Sequence, residues 1–160
     1  MRHIISVQLE NESGALSRVA GLFSARGFNI ESLTVAPTND ETLSRMTIVS
    51  VGEDNIIDQI VKQLEKLVDV VTVTDLTATE HVERELALVK IDVNANNQAD
   101  IDQSIDEYNG KIIDAGEDTY IVEIAGQSRR IDDFLTSLEG VKILEVSRTG
   151  VTGVCQRRID

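Results

Sequence analysis

The stretch LENESGALSRVAGLFSARGFNIESL, residues 9–33, joins the end of a predicted strand to a helix and then to a second strand. Apolar residues recur through its middle at helical spacing, at Leu16, Val19, Ala20 and Phe23. We expect Asn11 or Ser13 to cap the start of this helix and Gly27 to stop it. An asparagine therefore flanks the helix on each side, Asn11 before it and Asn29 after it.

Outward from this helix, one order of elements occurs twice. A strand, the helix, two strands, a second helical stripe and a fourth strand lead up to VVTVTDL. The same order starts again at ELALVKIDV and ends at VKILEVSR. The chain is therefore predicted to hold two α+β units, each with the order βαββαβ.

The polar connector TATEHVE places the boundary between the two units near Thr79. Each unit holds about 75 residues, a size at which burial of the core is marginal and oligomerisation often helps. We therefore expect a dimer. The strand that ends at Pro37 is the candidate for pairing with a second copy, because proline is tolerated at sheet edges and strand ends.

Composition and charge argue against several classes of protein. The formal charge of −13 disfavours nucleic acid as a partner, since binding to phosphates depends on lysine and arginine. No apolar run approaches the roughly 20 residues of a membrane helix, and the N-terminus lacks the pattern of a signal peptide. We expect a cytoplasmic protein. The single cysteine, Cys155, excludes an internal disulfide bond and a cysteine-based zinc cluster.

Catalytic signatures such as GxSxG, a Walker loop, GxGxxG, CxxC and HExxH do not occur in the sequence. The two histidines, His3 and His81, are interpreted as surface residues. The carboxylates of Asp102 and Asp106 lie one helical turn apart and are interpreted as a solvated face rather than a metal site. These patterns do not favour catalysis by this chain.

Gly14 lies in the first turn of the predicted helix, where backbone amides have no intrahelical partner. Without a side chain at this position, an anion such as an amino-acid carboxylate could approach those amides and the positive end of the helix dipole. Alternatively, Ser13 caps the helix and Gly14 only serves the turn. The residues alone leave both interpretations open.

Arg129 and Arg130 begin another predicted helix, where positive charge opposes the helix dipole. Exposure of both side chains to solvent is one interpretation. Contact with an acidic surface of a partner is the other.

The string LENESGALSRVAGLFSARGFNIESLTVAPT, followed by TLSRMTI and later by HVERELALVK, resembles the small regulatory subunits of acetolactate synthase, also called acetohydroxyacid synthase. The resemblance covers nearly the whole chain and is weaker between Asn94 and Arg130. It implies two tandem ferredoxin-like domains. Residues 1–78 would form an ACT domain, a module that senses amino acids, and residues 79–160 the C-terminal domain.

The resemblance also implies a function. Such a chain has no active site or cofactor of its own and binds a catalytic large subunit that holds thiamine diphosphate, Mg²⁺ and FAD. It raises the activity of that subunit in branched-chain amino-acid biosynthesis and confers feedback inhibition by L-valine. In similar proteins, valine lies at the interface of an ACT-domain homodimer.

The resemblance assigns valine to matching positions of this sequence, namely Asn11, Ser13, Gly14, Ala15, Leu16, Asn29 and Ile30. The amides of Gly14 and Ala15 would receive the carboxylate, and Asn11 or Asn29 the ammonium group. Leu16 and Ile30 would enclose the isopropyl group. A helix of about 12 residues separates the asparagines by roughly 18 Å, so one valine would need Asn29 from the partner subunit.

Two rival functions follow from the same residues. One is a free-standing ACT-domain sensor that controls another enzyme or a transcription factor. It would have the same fold, and fold alone does not determine function. An enzyme that binds a metal through the acidic cluster is the remoter alternative. It predicts a stoichiometric metal in the purified protein.

Overall fold

A computed structural model describes residues 1–157 of the chain. The first repeat consists of β1 (Arg2–Glu10), α1 (Ala15–Ala25), β2 (Ser32–Pro37), β3 (Leu43–Val51), α2 (Asp54–Leu64) and β4 (Val70–Asp75). The second consists of β5 (His81–Asp92), α3 (Gln98–Glu107), β6 (Lys111–Ala115), β7 (Thr119–Gly126), α4 (Ser128–Ser137) and β8 (Ile143–Arg148). A short strand, β9 (Thr152–Cys155), follows them. The predicted double βαββαβ order is confirmed.

Each repeat forms an antiparallel sheet with β1 or β5 among its central strands. The strand order is β2-β3-β1-β4 in the first sheet and β6-β7-β5-β8 in the second, where β9 also pairs with β5. In the first sheet Ile5 pairs with Ile48 across β1 and β3. These topologies are ferredoxin-like, as expected.

The helices of each repeat pack on one face of its sheet. Since successive strand residues point to opposite faces, every second residue of a strand faces the helices. In the first repeat every second residue of β1 enters the core shared with α1 and α2, as Ile5, Val7 and Leu9 do. In the second repeat the corresponding residues are Ala87, Val89 and Ile91 of β5. No helix within residues 1–157 is long and apolar enough to cross a membrane.

Strand β2 lies at an edge of the first sheet, paired only with β3 along the strand order. Its last residue, Pro37, lies opposite Ser44. The edge position agrees with the tolerance of sheet edges for proline. The backbone of β2 on the side away from β3 is therefore where another strand could pair.

The C-terminal segment corrects the predicted domain boundaries of 1–78 and 79–160. The chain divides into one compact unit that ends at Glu83 and a second unit from Arg84 to Gly150, and residues 151–157 join the first unit. Val151 is buried with Ile4 and Val49 on the sheet face opposite the helices. The predicted connector TATEHVE also contains the start of β5, at His81.

Candidate functional site

Gly14 is the N-cap of α1 and has φ 90° and ψ −10°, a left-handed conformation that favours glycine. Among residues 1–157, no side chain caps this helix, so the predicted caps Asn11 and Ser13 were wrong. The reason is that the helix begins at Ala15, which places Ser13 before the cap, where its side chain is exposed. The glycine itself makes the sharp entry to α1.

Asn11 fastens the loop before α1 to the hairpin between β2 and β3. Its backbone amide donates to the Thr42 carbonyl oxygen at 2.7 Å, and its side-chain Nδ2 donates to the Glu41 carbonyl oxygen at 2.9 Å. Asp40 supports this hairpin, because hydrogen bonds from the hydroxyl and then the amide of Thr42 hold the pKa of Asp40 below its usual value. These two hydrogen bonds therefore hold the loop against the hairpin that follows β2.

The first turn of α1 offers only part of its backbone donors to a ligand. The amide of Ala15 donates to the Glu12 carbonyl oxygen at 3.3 Å, which is longer than an ordinary N–H···O hydrogen bond. Ala15 itself is buried, whereas the side chain of Leu16 is 42% exposed. An apolar side chain with that exposure lies directly beside the glycine turn.

Arg18 was missed by the sequence analysis. It binds Asp69 through two hydrogen bonds, one of them from Nη2 to Oδ1 at 2.8 Å. These bonds raise the pKa of Arg18 and lower the pKa of Asp69. The remaining nitrogen, Nη1, lies 2.9 Å from where a Cβ on Gly14 would be. A guanidinium group therefore borders the glycine turn.

A sequence signal for Arg18 existed. Residues four apart lie on the same side of a helix, so an arginine at position 18 is one turn from Gly14. Its partner Asp69 gave no such signal, because it is 51 residues away in the chain.

Asn29 and Ile30 lie in the loop before β2, which begins two residues later, at Ser32. The side chain of Asn29 is exposed, and its carbonyl oxygen accepts a hydrogen bond from Ser50 Oγ at 2.7 Å. Ile30 is partly buried against the helix-facing core. Both residues are thus attached to the sheet near the C-terminal end of β3.

The two groups of predicted site residues lie at opposite ends of β3. Asn11 is bonded to Thr42, just before β3, and Asn29 is bonded to Ser50, near its end. Eight residues of extended strand span about 26 Å at about 3.3 Å per residue. The structure therefore brings Asn11, Ser13, Gly14, Ala15 and Leu16 together in one chain but does not bring Asn29 and Ile30 to them.

His3 differs from its interpretation as a surface residue. It is buried, because it shares the helix-facing side of β1 with Ile5. Its ring lies between two carboxylates, 3.3 Å from Asp54 and 3.8 Å from Asp75, without a hydrogen bond of good geometry. Within residues 1–157, no group of three or more histidine, cysteine or acidic side chains is arranged to hold a metal ion.

Comparisons with known proteins cover both repeats. Residues 5–72 match the family model of the AHAS small subunit-like ACT domain, and residues 84–157 match that of the small subunit of acetolactate synthase.

Individual relatives are similar over almost the whole chain. The acetolactate synthase isozyme 3 small subunits of Salmonella typhimurium and Escherichia coli are 56% and 55% identical over 155 residues, 96% of this chain and 95% of each relative. The crystal structure of the acetolactate synthase small subunit from Thermotoga maritima superposes with a TM-score of 0.89 at 37% identity, covering 99% of both chains.

Proposed function

Because this chain belongs to the family of acetolactate synthase small subunits, we propose that it activates the thiamine-diphosphate-dependent large subunit and makes that subunit sensitive to valine. Membership makes the chain the non-catalytic small subunit, with a regulatory role. Both repeats match small-subunit models, which argues against a free-standing sensor that shares only the ACT domain.

The glycine turn at Gly14 is the observation that carries the proposal. The carboxylate of valine lies against Gly14 and the first-turn amides, where the helix dipole favours an anion. Arg18 Nη1 adds a charged donor beside the turn. Binding exchanges the long hydrogen bond between Ala15 and Glu12 for a bond to the carboxylate. The exposed side chain of Leu16 covers the isopropyl group.

A second subunit completes the site. If β2 pairs with β2 of another copy about a twofold axis, the two strands run antiparallel, and the start of one lies beside the end of the other. Asn29 precedes the start of β2, and Asn11 is bonded to Glu41 in the hairpin after its end. Pairing thus places Asn29 of the partner subunit near Asn11, where their side-chain oxygens receive the ammonium group.

Inhibition follows if valine favours one arrangement of the dimer and the large subunit is activated by the other. A coupling free energy of about 1 to 3 kcal/mol is typical of such effects and would change activity severalfold or more. Valine supplies this difference only if its site changes between the two arrangements, as a site at a dimer interface does.

A reconstituted turnover assay tests the function. The purified chain is mixed with its cognate large subunit, thiamine diphosphate, Mg²⁺ and FAD, and acetolactate is measured with and without valine. We expect no product from the chain alone, activation in the mixture and reversal by valine. Product from the chain alone would overturn the regulatory assignment.

Calorimetric titration with valine tests the site residues. Asn29→Ala should weaken binding, because it removes an acceptor for the ammonium group. The matched control is Asn39→Ala, an exposed asparagine in the turn after β2. Equal affinities of the two variants would show that Asn29 does not contact valine.

Subunit mixing tests whether the site is shared. Asn11→Ala and Asn29→Ala each damage both sites of a homodimer. A mixed dimer of the two variants contains one intact site, because one wild-type Asn11 then faces one wild-type Asn29. We expect mixing to restore valine binding at half of the sites in the mixed dimers. No recovery, with mixed dimers demonstrated, would place the site within one chain.

A further inference from the structure

The segment that leads from α2 into β4, residues 67–71 with the sequence LVDVV, carries exposed apolar side chains. Val68 is 86% exposed, the highest value for a large apolar side chain within residues 1–157, and Val71 is 52% exposed. Leu67 and Val70 of the same segment pack against the helix-facing core. Val68 and Val71 therefore form an exposed apolar pair on an anchored segment.

Val71 lies in a β-bulge at an edge of the first sheet. Leu9 of β1 pairs with Val70 and Gln8 with Thr72, which leaves Val71 without a residue opposite it in β1. Bulges are common at sheet edges and redirect a side chain there. The edge strand β4 is at the opposite side of the sheet from β2. A second copy paired through β2 therefore lies at the other edge of the sheet from the apolar pair.

The single charge of this segment is neutralised. Asp69 is 6% exposed and accepts two hydrogen bonds from Arg18. The outward side chains on either side of Asp69 are uncharged, in a chain whose formal charge is −13. Scattered apolar side chains are common at protein surfaces, but the centres of protein interfaces are depleted in charged residues. The apolar pair therefore suits contact with an apolar surface of another protein.

Asp69 also connects the apolar pair to the proposed valine site. Its carbonyl oxygen accepts a hydrogen bond from the amide of Glu10 at 2.8 Å, where the loop before α1 begins. Its carboxylate holds Arg18, whose Nη1 lies 2.9 Å from the position of a Cβ on Gly14. A carboxylate bound at this turn attracts the same guanidinium group that Asp69 holds. Arg18 and Asp69 are therefore a physical connection by which valine binding can reach residues 67–71.

We propose that Val68 and Val71 contact an apolar surface of the catalytic large subunit. This contact presupposes the proposed function, in which the large subunit is the partner whose activity valine controls. The bond between Asp69 and Arg18 places the contact where valine binding can alter it. A second copy of this chain is not the occupant, because pairing through β2 places that copy at the other edge of the sheet.

Substitution of the exposed valines tests the contact. Val68→Asp adds a charge to the apolar pair without disturbing the core, because the side chain is 86% exposed. The matched control is Val154→Asp, the same substitution at a valine that is 56% exposed in β9 of the same unit. Each full-length variant is titrated into the cognate large subunit with thiamine diphosphate, Mg²⁺ and FAD, and acetolactate production gives the concentration of chain at half-maximal activation. Thermal unfolding and calorimetric titration with valine are measured on each variant alone.

We expect Val68→Asp to need at least about tenfold more chain for half-maximal activation than the wild type or Val154→Asp, because a charge would be buried against an apolar surface. Its thermal midpoint and its affinity for valine should match those of the wild type. Val71→Asp, a second variant, should shift activation in the same direction. Equal half-maximal concentrations for the three variants, with activation by the wild type, would overturn the contact but not the proposed function. Absence of activation by the wild type would overturn both.

Discussion

The two repeats share one order of elements but enter their first helix by different loops. In the first repeat, Gly14 turns the chain with a positive φ at the start of α1, and the guanidinium group of Arg18 borders this turn. In the second, the loop is closed by its own hydrogen bonds. The backbone amide of Asn94 donates to Asn97 Oδ1 at 2.8 Å, and Asn94 Oδ1 accepts from the backbone amide of Asn96. The first loop therefore turns at a glycine, whereas the second is held by hydrogen bonds to its own asparagine side chains.

Two repeats with the same fold therefore need not carry the same site. Helix ends leave backbone groups unpaired, and the residues of the loop decide whether a side chain or a ligand satisfies them. Polar features of the second repeat lie elsewhere, as in the ion cluster around Arg148.

The largest effect is expected from the ion cluster of the second repeat. Arg148 donates to both carboxylate oxygens of the buried Glu85 and to Asp132, and these bonds raise the pKa of Arg148. Arg148→Met leaves Glu85 buried without that cation, which costs about 3 to 5 kcal/mol in a fully buried pair. Since a third of Arg148 is exposed, we expect a loss of about 2 kcal/mol in urea denaturation.

Arg129→Met is the control for the ion cluster, because Arg129 pairs with Asp133 at 3.8 Å and both side chains are exposed. Its stability should stay within about 0.5 kcal/mol of the wild type. Similar losses of stability in Arg148→Met and Arg129→Met would show that the Arg148 cluster stabilises the fold no more than an exposed ion pair does.

The C-terminal segment should matter to the first repeat. Val151 is 2% exposed against Ile4 and Val49, whereas Val154 is 56% exposed. Val151→Ala removes buried methyl groups, and we expect a loss of up to about 2 kcal/mol. Val154→Ala should change stability by less than about 0.5 kcal/mol. Urea denaturation compares the pair, and equal effects would mean that the segment does not stabilise the first unit.

The need for glycine at position 14 can be tested by comparison with Gly21, a second glycine of the same helix region. Gly14→Ala forces a side chain into a left-handed conformation and against Arg18, so we expect a loss of about 1 to 2 kcal/mol together with weaker valine binding. Gly21→Ala lies inside α1 with open space around it and should stabilise by about 0.5 to 1 kcal/mol. Thermal unfolding and calorimetry measure both. If both variants are stabilised, the turn does not need glycine.

The pH dependence of the Arg18–Asp69 pair gives the smallest effect. Because Arg18 lowers the pKa of Asp69, the pair stabilises the fold above the unfolded pKa of about 3.9, and this contribution disappears as the pH falls through the lowered folded pKa. The difference in stability between wild type and Arg18→Gln should therefore be constant near neutral pH and shrink in acid. Urea midpoints from pH 7 to pH 3 measure it.

The control for the pH series is Arg26→Gln, which removes an exposed arginine from the other end of α1. The difference in stability between the wild type and Arg26→Gln should not shrink in acid in the same way. A pH-independent difference for Arg18→Gln would contradict the role of Asp69.

Periodicity predicted most of the fold, because alternation and helical spacing are local properties of the chain. It missed β9, whose four residues include Gly153 and pair with a strand about 70 residues earlier. A Cβ on Gly153 would lie 2.8 Å from Leu76 Cδ1, so this glycine serves a contact that no local pattern shows. Long-range pairing is what the sequence could not reveal.

The candidate site was predictable only in part, for the same reason. Gly14 could be singled out from the sequence, because a glycine at the start of a helix is recognised from its immediate neighbours. The sequence did not predict that Gly14 is the N-cap residue. The helix caps were wrong because a glycine turn replaced a side-chain hydrogen bond. The ion pair of Arg18 depends on Asp69, which packing rather than sequence distance brings near.

The burial of Val151 has a consequence for biosynthesis on the ribosome. The first unit recruits residues 151–157, which are translated after the whole of the second unit, and Val151 among them is buried with Ile4 and Val49. Its first strands are synthesised before the second unit, but this part of their packing forms only after all of the second unit has been synthesised. The first unit therefore begins to emerge before the second unit and is completed after it.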